Sequence, residues 1–251
     1  MGHHASVAAQ ERHLVAGSGR RAQVRTDLTD LTLSVAERQP PWQSPPVARW
    51  VTLETLAAAP PWPLAREVAV AGRCRGALLR DWAAHVERRG GSDAVARLRE
   101  RVGIGPELLP DAPKFDGWYP VGYQIALTRA IVDVALDGDI LALEPLLAED
   151  ATRFRDRLLE MAMRALGPKR LLKRTAKAHA WLYEGGQAEA EVGDGAAVIS
   201  FRGAAFFANP TWRVLQIFAT RGMLRGFGRD ITKLQADAEG EDRFTLEVAW
   251  R

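Results

Sequence analysis

The chain reads as a single α+β domain: helices packed on a small antiparallel sheet made of two β-hairpins separated by a helix, preceded by an irregular extension. Three observations predict this. Apolar residues recur at three- and four-residue steps through the middle of the chain, the period changes to two after Gly185-Gly186, and a second alternating run closes the sequence after one more helix. With 251 residues, 47% of them apolar, the chain can fill a domain-sized core, which excludes a wholly disordered protein.

Residues 1–66 hold the Pro40-Pro41, Pro45-Pro46, Pro60-Pro61 and Pro63 cluster and show no sustained period. Proline lacks an amide donor and restricts its predecessor, so no regular element is expected to cross the cluster. His3 and His4, with His13 further on, form no ligand set by themselves. Trp42, Trp50 and Trp62 are costly to leave in water, so the segment they span is expected to lie across the body or a partner.

The body, 67–251, becomes regular. Val68 to Leu79 reads as a short strand or turn leading into a helix through Trp82 and Val86, stopped by Gly90-Gly91. Ser92 is the expected N-cap of a helix through Val95, Leu98 and Val102. A loop from Gly103 to Pro120 follows. Val121 to Leu136 places Ile125, Leu127, Ala130, Ile131 and Val134 on a broad apolar helix face. Asp137-Gly138-Asp139 closes it and opens a short segment to Leu147. Phe154, Leu158, Met161, Ala162, Ala165 and Leu166 repeat at helical steps, with Gly167 as C-cap and Pro168 starting a successor that runs to Tyr183.

After Gly186, Gln187 to Val192 and Ala196 to Arg202 flank Gly193-Asp194-Gly195, a hairpin signal because these residues tolerate positive φ. Asn209 as N-cap and Pro210 at the first helical position announce a helix through Trp212, Leu215, Ile217, Phe218 and Met223. The second hairpin joins Asp230–Asp237 to Arg243–Trp250. In its last strand Phe244, Leu246, Val248 and Trp250 alternate with Thr245, Glu247 and Ala249, one face buried and one wet.

Phe115-Asp116-Gly117-Trp118-Tyr119-Pro120 before the long helix, Trp181-Leu182-Tyr183-Glu184-Gly185-Gly186 before the first hairpin, and the closing strand Phe244–Trp250 carry a resemblance. In this order they resemble an uncharacterised myxobacterial paralogous family. That family is similar to 4-vinyl reductase domains and, more distantly, to heme nitric-oxide-binding and Golgi transport adaptor domains. The resemblance covers residues 67–251 and implies a small-molecule-binding or docking module without catalysis of its own.

The departures narrow that implication. Sensor versions of the 4-vinyl reductase domain hold zinc through cysteines near the final hairpin, and residues 230–250 contain none. The heme relatives carry a Tyr-x-Ser-x-Arg clamp, and Tyr119, Tyr123 and Tyr183 never precede Ser and Arg at that spacing. His179, on an apolar helix face, is where an axial ligand would be sought; its plainer reading is a core histidine bonded to backbone. No metal and no cofactor are therefore expected.

Chemistry motifs are otherwise missing. The sequence has no Gly-x-Ser-x-Gly elbow, Walker loop or His-Glu-x-x-His, and Gly103-Ile104-Gly105 is followed by Pro106, which breaks a dinucleotide loop. Arg73 and Arg75 around Cys74 favour a thiolate, whereas a buried inert thiol is the simpler reading. Asp137 with Asp139, and Glu149 with Asp150, stand where turns and helix starts want carboxylates. A non-enzymatic protein is expected.

One charged feature rises above this background. On a continuous helix 168–183, Arg170, Lys173, Arg174 and Lys177 converge on one strip suited to an anionic partner, unless nearby acids such as Glu149, Asp150 and Asp156 compensate it. No aromatic interleaving accompanies it, and the net charge is only +3, so nucleic acid is not expected.

Two functions remain open. The first is a sensor-type module taking a small hydrophobic molecule in a cleft between sheet and helices, lined from Trp118, Tyr119, Tyr123, His179, Trp181, Phe206, Phe207 and Trp212. The second is an interaction or scaffolding domain acting through homo- or heterodimerisation, with its surface around Trp212, Phe218 and Phe227. One cysteine forbids an internal disulfide, no 18-residue apolar run spans a membrane, and no signal-peptide order is present, so a cytoplasmic location is expected.

Overall fold

A computed structural model describes residues 49–105, 108–110, 112–153, 167–238 and 240–251, apart from the side chains of 80–85, 89 and 149–153. The helical period read over 154–166, the amino-terminal histidines, Trp42, Asp156 and the side chains of Trp82, Glu149 and Asp150 lie outside the described residues. All described residues belong to one compact unit, Pro46–Arg251.

Regular structure starts earlier than the expected boundary at residue 66. Strand β1 (Trp50–Val51) pairs antiparallel with β7 (Ile231–Asp237), Trp50 opposite Asp237. Helix α1 (Leu53–Ala57) follows, its first turn fixed by the Thr52 hydroxyl accepting from the Thr55 amide, and Leu53 and Leu56 are buried. Helix α2 (Leu64–Ala69) begins directly after Pro63. The expectation of an irregular segment is corrected over 49–66: the prolines stand between short elements rather than inside them, where their missing amides cost nothing.

Next come β2 (Arg73–Arg75), α3 (Gly76–Gly90) and α4 (Ala94–Val102). Ser92 is not the cap of α4. Asp93 holds that position without a side-chain cap bond, and the Ser92 hydroxyl instead donates to the Asp93 carboxylate. Gly103, at φ +70°, ends the helix as a left-handed C-cap.

The loop expected through Pro120 closes in a short strand, β3 (Trp118–Pro120), and leads into α5 (Val121–Ala135), buried over most of its circumference. Asp139 caps the short helical turn Ile140–Ala142 by accepting from the Leu141 amide at 2.8 Å, and α6 (Leu143–Arg153) continues from it.

The helix expected over 168–183 is interrupted. Residues 167–172 are helical, a turn follows at Lys173–Arg174, and α7 (Thr175–Leu182) restarts. The Thr175 hydroxyl donates to the Leu172 carbonyl at 2.6 Å, capturing an acceptor that a continuous helix would use. The four cations consequently do not share one straight strip.

Strand β4 (Tyr183–Glu184) joins β2 and β3 in a small sheet of order β3-β2-β4, with Cys74 between Tyr119 and Tyr183. The sequence did not separate this sheet from its loops, because strands of two or three residues carry no period.

The expected hairpins are both present: β5 (Gln187–Val192) with β6 (Ala196–Arg202), and β7 with β8 (Arg243–Trp250). They join along β6 and β8 into one antiparallel sheet of order β1-β7-β8-β6-β5. Helix α8 (Pro210–Gly226) separates them, capped by Asn209 with Pro210 in the first turn. Phe244, Leu246 and Val248 are fully buried, as their alternation required, in the same core as Trp212, Val214 and Ile217 of α8, with the Trp212 and Phe244 ring centroids 6.2 Å apart. The chain is thus α+β in the sense expected.

Candidate functional site

The residues expected to line a cleft separate into two groups. Tyr123, His179, Phe206, Phe207 and Trp212 are all buried, the last three fully. Phe206 and Phe207 have ring centroids 4.5 Å apart, and the Trp212 ring lies 4.9 Å from Phe207 and 5.4 Å from Phe206. Phe201 meets Trp212 at 5.1 Å. These are contact distances for aromatic rings, so the side chains fill the space that the cleft would have occupied. The expected lining is, at these residues, packed core.

His179 sits inside this cluster. Its ring stacks on Tyr183 at 5.2 Å and meets Phe207 at 5.5 Å and Phe201 at 5.9 Å, while Nε2 donates to the Gly185 carbonyl at 3.1 Å. Burial holds its pKa below the ordinary 6.5, and the Gly185 bond opposes that in part. Its nitrogen is therefore committed to backbone and its faces to rings, as the plainer sequence reading had it.

Trp118, Tyr119 and Trp181 belong to the small sheet and its rim. The Arg75 guanidinium lies 4.0 Å from the Trp118 ring, its Nε donates to the Trp181 carbonyl at 3.0 Å, and it also donates to the Asp116 carbonyl. The Tyr119 hydroxyl accepts from the Lys114 amide at 3.0 Å. Trp181 is 47% exposed beside Phe115, which is 53% exposed, with ring centroids 5.8 Å apart.

A polar island interrupts the aromatic core. The Tyr183 hydroxyl donates to Gln124 at 3.3 Å and is 3.5 Å from the Gln216 amide. Burial pushes Tyr183 up to about 12 and the Cys74 thiol likewise to about 12. Cys74 is fully buried, so its flanking arginines do not produce a thiolate.

The dimer surface expected around Trp212, Phe218 and Phe227 is corrected too. Trp212 and Phe218 are buried within this chain and Phe227 is half-buried, because α8 turns them onto the sheet and neighbouring helices. Arg170, Lys173, Arg174 and Lys177 are exposed, and among the described residues none of them is in an ion pair.

The opening that sequence reasoning missed lies in the helical layer. Helices α3, α4 and α5 leave a groove of about 580 Å³ between them, lined by Val86, Ala94, Leu98, Ile131 and Val134, with Arg97 and Arg101 at its edge. Arg97 donates to the Gly90 carbonyl at 3.0 Å and so holds the start of α4 to the end of α3. Val134, expected on the core face of α5, is 55% exposed here. The three helices contribute two, four and three lining residues, too few from any one of them to mark a site in the sequence. Among the described residues no cluster of three metal-ligating side chains occurs, and no helix is long and apolar enough to cross a membrane.

No protein-family model matches the sequence, and no curated protein matches it. Solved structures do. The Fe(II) unliganded H-NOX protein from K. algicida superposes with a TM-score of 0.50 at 12% identity, over 70% of this chain and 96% of that one. A mutant of the same protein gives 0.51 at 12% identity, over 70% and 96%. A Cs H-NOX mutant carrying 4-cyano-L-phenylalanine gives 0.50 at 11% identity, again over 70% and 96%. Identity this low establishes a shared architecture and nothing finer: the chain has an H-NOX-like α+β fold.

Proposed function

We propose that this chain is a non-catalytic, sensor-type module that binds a small apolar molecule in the groove between α3, α4 and α5. The carrying observation is the groove itself: about 580 Å³, walled by aliphatic side chains and edged by two cations, within the roughly 300–1,000 Å³ of typical ligand sites. The fold supports the same reading, since two of the H-NOX structures it resembles are described as unliganded. The motif resemblance to 4-vinyl reductase domains is in line with it. The lack of any assembled nucleophile and base in the sequence supports a binding rather than a chemical role.

Heme is not part of this reading. At His179 the residues present do not fit the group: Nε2 is bonded to Gly185 and Tyr183, Phe201 and Phe207 pack around the ring.

The test uses N-phenyl-1-naphthylamine, whose fluorescence rises in apolar sites, with the full chain and a Val134→Trp variant that fills the groove from its exposed edge. Saturable binding that weakens by about tenfold or more in the variant, at unchanged melting temperature, supports the site. Equal binding by both proteins, or none by either, overturns it.

A further inference from the structure

Glu67 is the one carboxylate among the described residues that is buried in the core, at 2% exposure. It lies on α2, facing α5 and the amino-terminal cap of α8, and its Oε1 has no hydrogen-bond partner. Asn209 is the neighbouring polar side chain. Its Oδ1 is used by the Trp212 amide at 3.0 Å, and its Nδ2 is also buried without a partner. From α5, Arg129 and Asp133 act on Glu67 in opposite directions, and they pair with each other at 3.2 Å. Arg66, the adjacent cation on α2, turns away and lies 3.7 Å from the Trp62 ring.

Backbone contact fixes this seat. A Cβ added at Gly122 in the first turn of α5 would lie 2.2 Å from the Glu67 carbonyl oxygen and 2.7 Å from that of Val68, so glycine alone lets α2 approach. An ionised carboxylate in such a place would have little beyond the Asn209 amide to offset its lost hydration.

We propose that Glu67 is a proton-operated latch: carrying its proton it seats α2 on α5 beside the Asn209 cap, and ionised it loosens that seat. Burial pushes its pKa from 4.5 to about 7, with the Asn209 amide and Arg129 opposing the rise and Asp133 adding to it. When α2 lifts, Glu67 returns to water and to its ordinary value. Between about 4.5 and about 7 the lifted state releases a proton that the seated state keeps. Seating therefore weakens as pH rises through that window and levels off above it.

Hydrogen exchange of the full chain, with rates corrected for the intrinsic pH dependence of amides, reads this at residues 64–70. The wild type is expected to lose protection there by more than about tenfold between about pH 5 and about pH 7 and then to level off, while Glu67→Gln stays flat. A flat wild type, or the same loss in Glu67→Gln, overturns the latch. Infrared spectroscopy of the wild type needs no variant: a protonated carboxyl band persisting near pH 6 is expected, and its absence overturns the proposal as well.

Discussion

The Arg213 guanidinium donates to the Phe207 carbonyl oxygen at 2.7 Å, tying the first turn of α8 to the short helical turn Ala205–Ala208, which carries Phe206 and Phe207. Its second arm donates to the Gly240 and Arg243 carbonyls, both at 3.1 Å, and so holds the second hairpin to the same point. Burial lowers its pKa to about 10, which leaves it charged at neutral pH.

Replacing Arg213 by methionine keeps much of the volume and removes every one of those donors. Three carbonyls then lose a partner, and the expected loss is about 2–4 kcal/mol in urea unfolding. Arg213→Lys should recover only part of it, because one ammonium cannot span three carbonyls in two segments. Full recovery by lysine would show that charge rather than geometry matters here.

Gly186 tests the packing of the aromatic cluster. Its φ is +68°, and a Cβ would lie 2.4 Å from Phe207 Cε2 and Cζ. Gly186→Ala combines backbone strain with overpacking against a fully buried ring, so a loss of about 2 kcal/mol or more and a lower melting temperature are expected. An alanine variant as stable as the wild type would mean that Phe207 has room to move.

Much of the sheet was legible because its determinants are local. Phe244 to Trp250 alternates strictly, and Asn209-Pro210 marks a helix start by the same chemistry the structure uses, an amide oxygen accepting from the Trp212 amide. The break at Lys173–Arg174 was not legible. The apolar spacing runs through it unchanged, and only the Thr175 hydroxyl bonded to Leu172 reveals it. The candidate site was obscured for another reason: large aromatics read alike as cleft lining and as core, and Phe206, Phe207 and Trp212 turn out to satisfy one another. Glu67 reads as a surface acid, since nothing in its neighbours announces that α2 buries it where its backbone runs against Gly122 of α5.

Asn209 carries two separable roles. Asn209→Ala removes the cap acceptor and should cost about 1 kcal/mol in acid, where Glu67 carries its proton. Asn209→Asp keeps an acceptor for the Trp212 amide but places a second carboxyl beside Glu67. Its penalty should be small in acid and grow toward neutral pH, as two like charges come to share one buried site. Urea midpoints at both pH values separate the two roles, and an aspartate variant with a pH-independent penalty would place Glu67 out of its reach.

His179 weakens the same fold in acid. Its folded pKa lies below the 6.5 of the exposed side chain, with burial the main cause. The unfolded chain therefore takes up a proton that the native ring refuses, so the stability this group contributes is complete above about 6.5 and is lost as pH falls through the folded value. His179→Phe keeps an aromatic filler among Tyr183, Phe201 and Phe207 and gives up only the bond to Gly185. Denaturation midpoints should then fall less steeply below about pH 6.5 in the variant than in the wild type. The trend is opposite in sign to that of Glu67, whose protonated form is the one the fold prefers. Parallel acid profiles for the wild type and His179→Phe would show that the ring is not the group limiting stability in acid.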